Sequence, residues 1–346
     1  MAAIAHPLPP LPLDPAATRL IAADVGGTHV RIGLVTRDAA NAPLSIHGYR
    51  KYICADYSGL DAILADFIAS LDGVPVQAAA IASAGHALDD GTLISRNLPW
   101  TISLPQLRQR LGIADLRLVN DFEAVAHATD FAGNAVLRLT GPATAPDGPV
   151  LVIGPGTGLG AAVRIPAQPH AIVLPTEAGQ AALTTGNAME ARVLQEFLRG
   201  RSHVPNEHAL SGPGLMNLHQ ALCAIEGVAN RYDAPSAVTA AAIDGSDPLA
   251  RRTLEMFCGL LGSTVGDMAL LYGAHGGIYL AGGILPQLRE FLLQSSFVER
   301  FLNKGPMRAV LERIPVTLVE HGQLGVMGAA NWYLTRRGDA SHKTSE

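Results

Sequence analysis

Apolar and polar positions along this chain follow two periods, and each switch between them marks a new element. Runs at 20–23 and 29–36, followed by 44–54, predict three successive strands. Apolar residues at 60, 63, 64, 67, 68 and 71 then recur at helical spacing, so 60–71 is an amphipathic helix. A buried strand at 76–83, a turn at Asp89-Asp90-Gly91, a helix at 104–111, a strand at 116–119 and a helix at 122–128 complete one α/β domain ending near residue 130.

A second unit starts the same way, with a strand at 150–153, a glycine turn and another strand. Its turn, Gly154-Pro155-Gly156-Thr157-Gly158-Leu159-Gly160, contains G-x-G-x-x-A. A dinucleotide fingerprint would have to open a helix, whereas the continuation AAVRIP is β-like and meets Pro166. The first unit has Asp24-Val25-Gly26-Gly27-Thr28 at the equivalent place. Gly26 and Gly27 can adopt positive φ there. Successive amides in such a turn form an anion-binding nest, Thr28 adds a hydroxyl, and Asp24 offers a carboxylate to Mg²⁺ or its water shell. A strand, a glycine turn bearing Thr and a strand thus occur twice, which suggests two related halves gripping one polyphosphate.

Beyond this echo lie a loop at 174–180, a helix near 188–199 and a helix capped by Ser211 that runs through 224. The long apolar helix at 248–272 suits a buried or oligomeric position. After the strand 277–281, Gly282-Gly283 lets the backbone turn closely around a planar ligand, and Pro286 falls near a helix start. A strand at 316–319 and a helix at 323–336 end the pattern. Residues 1–19, with prolines at 7, 9, 10, 12 and 15, read as a disordered extension without the features of a signal peptide.

Composition narrows the function. A length of 346 residues allows two domains. Although 48% of residues are hydrophobic, the best spanning candidate, 268–285, is broken by His275, Gly276 and Gly277, so a soluble protein without membrane partners is expected. Cys54, Cys223 and Cys258 are too widely separated for a zinc or disulfide framework and suit a reducing cytoplasm. The net charge of −5, with no basic block, argues against nucleic acid as a ligand. Only three lysines occur, Lys51, Lys304 and Lys343, none in a glycine-rich turn. That excludes the lysine-bearing P-loop and the protein-kinase arrangement, leaving backbone amides and a metal to hold phosphate.

The richest stretch is LRLVNDFEAVAHA, from residue 116 to 128. Asn120 and Asp121 sit between a strand's carboxyl end and a helix, where ligands bind in open α/β sheets. Asp121 can accept a proton from an attacking hydroxyl, and Asn120 offers donors and acceptors to a polyol. Equally, Asp121 can be the N-cap of its helix.

DVGGT at 24–28, NDF at 120–122, GPGTGLG at 154–160, LSGPG at 210–214 and AGGI at 281–284 resemble the bacterial ATP-dependent glucokinases, part of the hexokinase, actin and Hsp70-like ATPase group. The resemblance covers roughly 20–336. It implies an α/β fold of two ribonuclease-H-like lobes with a ligand cleft between them. The small lobe would span 20–130 with a helix at 320–337 returning to it, and the large lobe 131–319. Asp121 would be the catalytic base for the sugar 6-hydroxyl, and Asn97, Asn120, Gly158, Glu177, Gln180 and Glu207 the substrate-binding residues. Ala23, Asp24, Val25, Gly26, Gly27 and Thr28, with Gly156, Thr157 and Gly158, would hold the phosphates of ATP. Gly282, Gly283 and Ile284 would hold adenosine, and Asp24 would hold Mg²⁺ through water. Glucose phosphorylation at the start of glycolysis, by a cytoplasmic homodimer, is the implied role.

Several residues depart from the family pattern. TEAGQ at 176–180 stands where GEGGH is usual, so Gln180 replaces a histidine that contacts the sugar near its anomeric hydroxyl. Glutamine still hydrogen-bonds a hydroxyl but cannot be cationic. His29 replaces a common asparagine, and Ser83-Ala84-Gly85-His86 differs from a proline-containing turn. These departures fall more on the sugar side than on the ATP side. They leave as alternatives another hexose, or a sugar-binding regulatory protein with weak or lost catalysis.

Overall fold

The computed structural model describes residues 18–37, 43–95, 98–131, 136–319 and 322–343. In chain order the elements are β1 (Thr18–Val25), β2 (His29–Arg37), β3 (Ser45–Ile53), α1 (Leu60–Ala69), β4 (Ala78–Ser83), β5 (His86–Ala87), β6 (Thr92–Ile94), β7 (Ile102–Ser103), α2 (Leu104–Leu111), β8 (Asp115–Val119) and α3 (Asp121–His127). Then come β9 (Val136–Thr140), β10 (Val150–Pro155), β11 (Leu159–Ile165), β12 (Ile172–Thr176), α4 (Ala188–Phe197), α5 (Gly212–Glu226), α6 (Pro235–Asp244) and α7 (Pro248–Tyr272). The last are β13 (Gly277–Leu280), α8 (Arg289–Gln294), α9 (Phe297–Leu302), α10 (Arg308–Leu311), β14 (Val316–Val319) and α11 (Leu324–Lys343). The chain forms two compact units, 1–131 with 322–346, and 132–321.

In the first unit the sheet order is β3-β2-β1-β4-β8. β1 pairs antiparallel with β2 and parallel with β4, which pairs parallel with β8. β1 is apolar at successive positions because both faces of the sheet are covered. Ile21, Ala23 and Val25 pack with Ile63, Leu64 and Phe67 of α1 and Leu107 of α2. Leu20 and Ala22 pack on the other side with Val326, Ala329, Trp332 and Tyr333 of α11. β1 starts at Thr18, which pairs with Arg37, so the expected extension loses its last two residues to the sheet. Arg19, opposite Thr36, reads as polar in sequence, yet the ladder continues through it because backbone pairing does not need an apolar side chain. Residues 1–17 of that extension lie outside the described residues.

The second unit repeats the plan in the order β12-β11-β10-β13-β14-β9. β10 pairs antiparallel with β11 and parallel with β13, and β13 parallel with β14. The short edge strand β9 adds antiparallel to β14. α7 is apolar and long enough to cross a membrane by composition, but 72% of its most apolar window is buried within the fold. Leu254, Phe257, Leu261 and Val265 join Leu151, Ile153 and Ile278 in one core. Burial within the chain therefore accounts for this helix without an oligomer interface.

Candidate functional site

The carboxyl ends of β1, β4 and β8 share one edge of the first sheet, since all three run parallel. At the end of β1, Asp24 is 7% exposed and lies directly opposite Arg31 of β2. The Arg31 guanidinium stands 3.4 Å from the Asp24 carboxylate. Asp24 also packs against the first turn of α11, where a Cβ on Gly325 would come within 2.6 Å of its Cγ. The turn itself is tied down twice: the Gly26 amide donates to the His29 carbonyl at 3.0 Å, and the Cys54 amide to the Thr28 carbonyl at 2.9 Å. Thr28 is exposed, whereas Ala23 and Val25 point into the core. Gly26 and Gly27 are not among the described positive-φ glycines, so the turn does not use the left-handed freedom they offer. Burial, reinforced by Lys51 and Arg31, lowers the pKa of the neighbouring His29 and favours its neutral imidazole.

Asn120, not Asp121, caps α3. Asn120 Oδ1 accepts from the amides of Phe122 at 2.9 Å and Glu123 at 3.1 Å. Its acceptor is thereby committed, which leaves its Nδ2 donors as the groups it can offer. Asp121 is the first helical residue, and its Oδ1 accepts from the Phe122 amide at 2.9 Å. A carboxylate in the first turn complements the helix dipole. The mount is stiff: the Trp332 indole donates to Glu123 at 2.8 Å, and the Asn331 amide to the His127 carbonyl at 3.0 Å. The cap assignment gives Asn120 the role of closing the helix end and leaves Asp121 inside the first turn.

In the second unit, β10, β12 and β13 end at one edge. The turn after β10 is closed by the Gly156 amide donating to the Gly158 carbonyl at 2.8 Å, and it leaves Thr157 exposed. The Gly212 amide, ahead of α5, donates to the Gly156 carbonyl at 2.8 Å, while Ser211 caps α5 through the Gly214 amide at 2.9 Å. Glu207 lies against this turn: a Cβ on Gly158 would fall 2.7 Å from its Oε2. Glu177 and Gln180 are exposed and flank a single 3-10 turn, with the Gln180 amide donating to the Glu177 carbonyl at 2.9 Å. After β13, Gly282 adopts φ 99°, and a Cβ there would also sit 2.5 Å from the Pro155 carbonyl oxygen. Only glycine satisfies both conditions. Gly283 is exposed and Ile284 half-buried.

The expected residues thus fall into two groups, one per unit. Asp24, 26–28, Asn120 and Asp121 mark the sheet edge of the first unit. Residues 156–158, Glu177, Gln180, Glu207 and 282–284 mark that of the second. Asn97 lies outside the described residues. Sequence reasoning overlooked Arg31, although hairpin register alone pairs residue 31 with residue 24 across the turn. It also overlooked Asn206, which is 4% exposed and donates through Nδ2 to the Ala178 carbonyl at 3.2 Å. No short-range pattern signals that contact.

Two α/β units that each present a glycine hairpin at the carboxyl edge of a mixed sheet, with a carboxylate on the first and glutamates on the second, define a sugar-kinase-like protein. The chain belongs to the glucokinase family, whose sequence signature, Glucokinase, matches residues 21–336. It is 54% identical over 319 residues to a "Glucokinase-like protein" of Xylella fastidiosa (strain 9a5c), covering 92% of this chain and 95% of that one. It is 37% identical over 311 residues to the "Glucokinase" of Nitrobacter hamburgensis, covering 89% and 95%. Among solved structures, a glucokinase from an Antarctic psychrotroph superposes with a TM-score of 0.79 at 32% identity, covering 91% of this chain and 98% of that one.

Proposed function

We propose that this enzyme transfers the γ-phosphoryl group of ATP to the 6-hydroxyl of glucose. The placement of Asp121 carries this assignment: a carboxylate at the head of a braced helix, with its neighbour Asn120 doing the capping. The 6-hydroxyl oxygen attacks the γ-phosphorus, its proton passes to the Asp121 carboxylate, and the bond to the bridging oxygen of ADP breaks. Asn120 donates to a sugar hydroxyl, and Glu177 and Glu207 accept from others. Gln180 lies near the anomeric end, and Asn97 contributes from the sugar-side loop. The Gly26 and Gly156 amides close their own turns, so the phosphates are received by the turn amides that follow, at 27–28 and 157–158, and Gly282 to Ile284 receive adenosine.

Among the described residues no group of three or more His, Cys, Asp or Glu could hold a metal. Asp24, whose carboxylate faces the Arg31 guanidinium at 3.4 Å, fits Mg²⁺ held through water, since the ion typically keeps several waters and needs only one or two protein carboxylates beside substrate phosphates. Bound there, Mg²⁺ would neutralise phosphate charge. The duplicated sheets support two ribonuclease-H-like lobes, each carrying part of the proposed ligand-binding set. A cytoplasmic homodimer acting at the head of glycolysis belongs to the same proposal.

A coupled ADP-release assay across several hexoses, run beside sugar-binding calorimetry, tests it. The expected result is turnover with glucose preferred. Glucose binding without turnover would replace the enzyme by a regulatory sugar-binding protein, and preference for another hexose would locate the difference at the Gln180 loop.

A further inference from the structure

We propose that His203 is a positioning residue that sets the hexose specificity of this enzyme by holding Gln180. The inference rests on the hexose-kinase assignment above and deepens it. The segment 203–206 is strapped to 178–183 along its whole length. The Leu183 amide donates to the Val204 carbonyl at 2.9 Å and the Asn206 amide to the Ala181 carbonyl at 2.8 Å. Asn206 Nδ2 reaches the Ala178 carbonyl at 3.2 Å, and Ala182 bridges Pro205. These three hydrogen bonds, two of which make up the bridge, fix the backbone on either side of Gln180, and the Gln180 amide is held by the Glu177 carbonyl, but none of them reaches the Gln180 carbonyl. The His203 ring supplies the missing one: its Nε2 lies 2.9 Å from the Gln180 carbonyl oxygen. A carbonyl only accepts, so Nε2 carries the hydrogen and donates.

The strap continues into the sugar-side carboxylates. Residue 206 begins the 3-10 turn that contains Glu207, and Glu207 in turn abuts Gly158. His203 therefore ties the orientation of Gln180 to the body that carries Glu207. Both His203 and Gln180 are exposed, so their contact adds little to the core. Its consequence is geometric: a fixed backbone places the root of the long, flexible glutamine side chain and lowers the freedom it must lose to hold a hydroxyl. This supplies an order that the glycine-to-threonine and glycine-to-alanine changes around it do not provide by themselves.

The test compares His203→Ala and His203→Gln with the wild-type enzyme, using glucose and 1-deoxyglucose as substrates. Wild-type turnover on glucose tests the hexose-kinase assignment separately; the ratios between variants test the role of His203. His203→Ala is expected to raise the KM for glucose by about tenfold, through a misplaced partner, while kcat and the KM for ATP stay within about threefold. The preference for glucose over 1-deoxyglucose should fall towards unity in the same variant. His203→Gln, which keeps a donor at similar reach, should recover most of both effects. Thermal unfolding should be nearly unchanged in each. The proposal is overturned if His203→Ala leaves the KM for glucose and the 1-deoxyglucose ratio unchanged. It is equally overturned if kcat and both KM values worsen together, or if glutamine rescues no better than alanine.

Discussion

Replacing Gly158 with alanine isolates the contact between the second glycine hairpin and Glu207. The added Cβ would sit 2.7 Å from Glu207 Oε2, whereas ordinary contact begins near 3.4 Å, so the carboxylate must retreat by at least about 0.7 Å. Because the displaced atom is the far end of a flexible side chain, the backbone has no reason to move. The melting temperature should therefore stay within about 2 °C of wild type. With Glu207 in its proposed role, the loss of a hydrogen bond from the sugar to a charged group, worth about 1.5–3 kcal/mol, corresponds to roughly a 10- to 160-fold rise in the KM for glucose. Steady-state assays with separately varied sugar and ATP read this directly. Gly156→Ala is the comparison, since a Cβ there meets nothing within 4 Å in the protein and leaves Glu207 in place. Its effect should fall on ATP, whose phosphates approach the turn amides that follow. Combining Gly158→Ala with Glu207→Gln should cost little more than Glu207→Gln alone, because both remove the same contact. An unchanged KM for glucose in Gly158→Ala would refute the reasoning.

Other consequences follow from burial. Breaking the bidentate pair of Arg300 and Glu190, whose second bond is 2.9 Å, by Glu190→Gln should cost about 3 kcal/mol in denaturant unfolding, because the buried guanidinium loses its carboxylate and keeps only neutral partners such as the Ser263 hydroxyl at 3.1 Å within bonding reach. Trp332→Phe removes the hydrogen bond to Glu123 and should cost about 1 kcal/mol, with a matching fall in melting temperature. Burial lowers the pKa of His219 from its usual 6.5, so the unfolded chain binds a proton that the folded chain resists. Stability is present above about pH 6.5 and is lost as pH falls below it towards the lowered folded value; His219→Gln should flatten that slope in urea midpoints measured against pH.

Much of this architecture is written locally. Both hairpins, the helix over 60–69, the Ser211 cap and α7 arise from periodicities and turn residues within one element, and those are legible one window at a time. β9 and β12 were not predicted. They are edge strands, with half-exposed or exposed residues and, in β12, Pro175, so they carry no continuous apolar run. The helix expected to start near Pro286 appears as a 3-10 turn over Leu285–Leu288 leading into α8, whereas α6, α9 and α10 were missed; the last two span only six and four residues and lack a full amphipathic period. At the site, chemistry was easier to read than geometry. Asn120 and Asp121 were recognised as polar residues at a strand end, but which of them caps the helix depends on a backbone angle no sequence pattern prints. Likewise, the strap from 203–206 to Gln180 joins segments more than twenty residues apart, and only the folded chain brings a histidine to that carbonyl.

The most direct measurement is single-turnover phosphoryl transfer by Asp121→Asn, with glucose and ATP affinities measured calorimetrically on the same protein. Since Asn120 caps α3, the substitution should leave the fold and both affinities within about threefold of wild type, while the rate falls by about 10²–10⁴-fold through loss of the base. A variant that transfers phosphate at close to the wild-type rate would contradict the role assigned to Asp121.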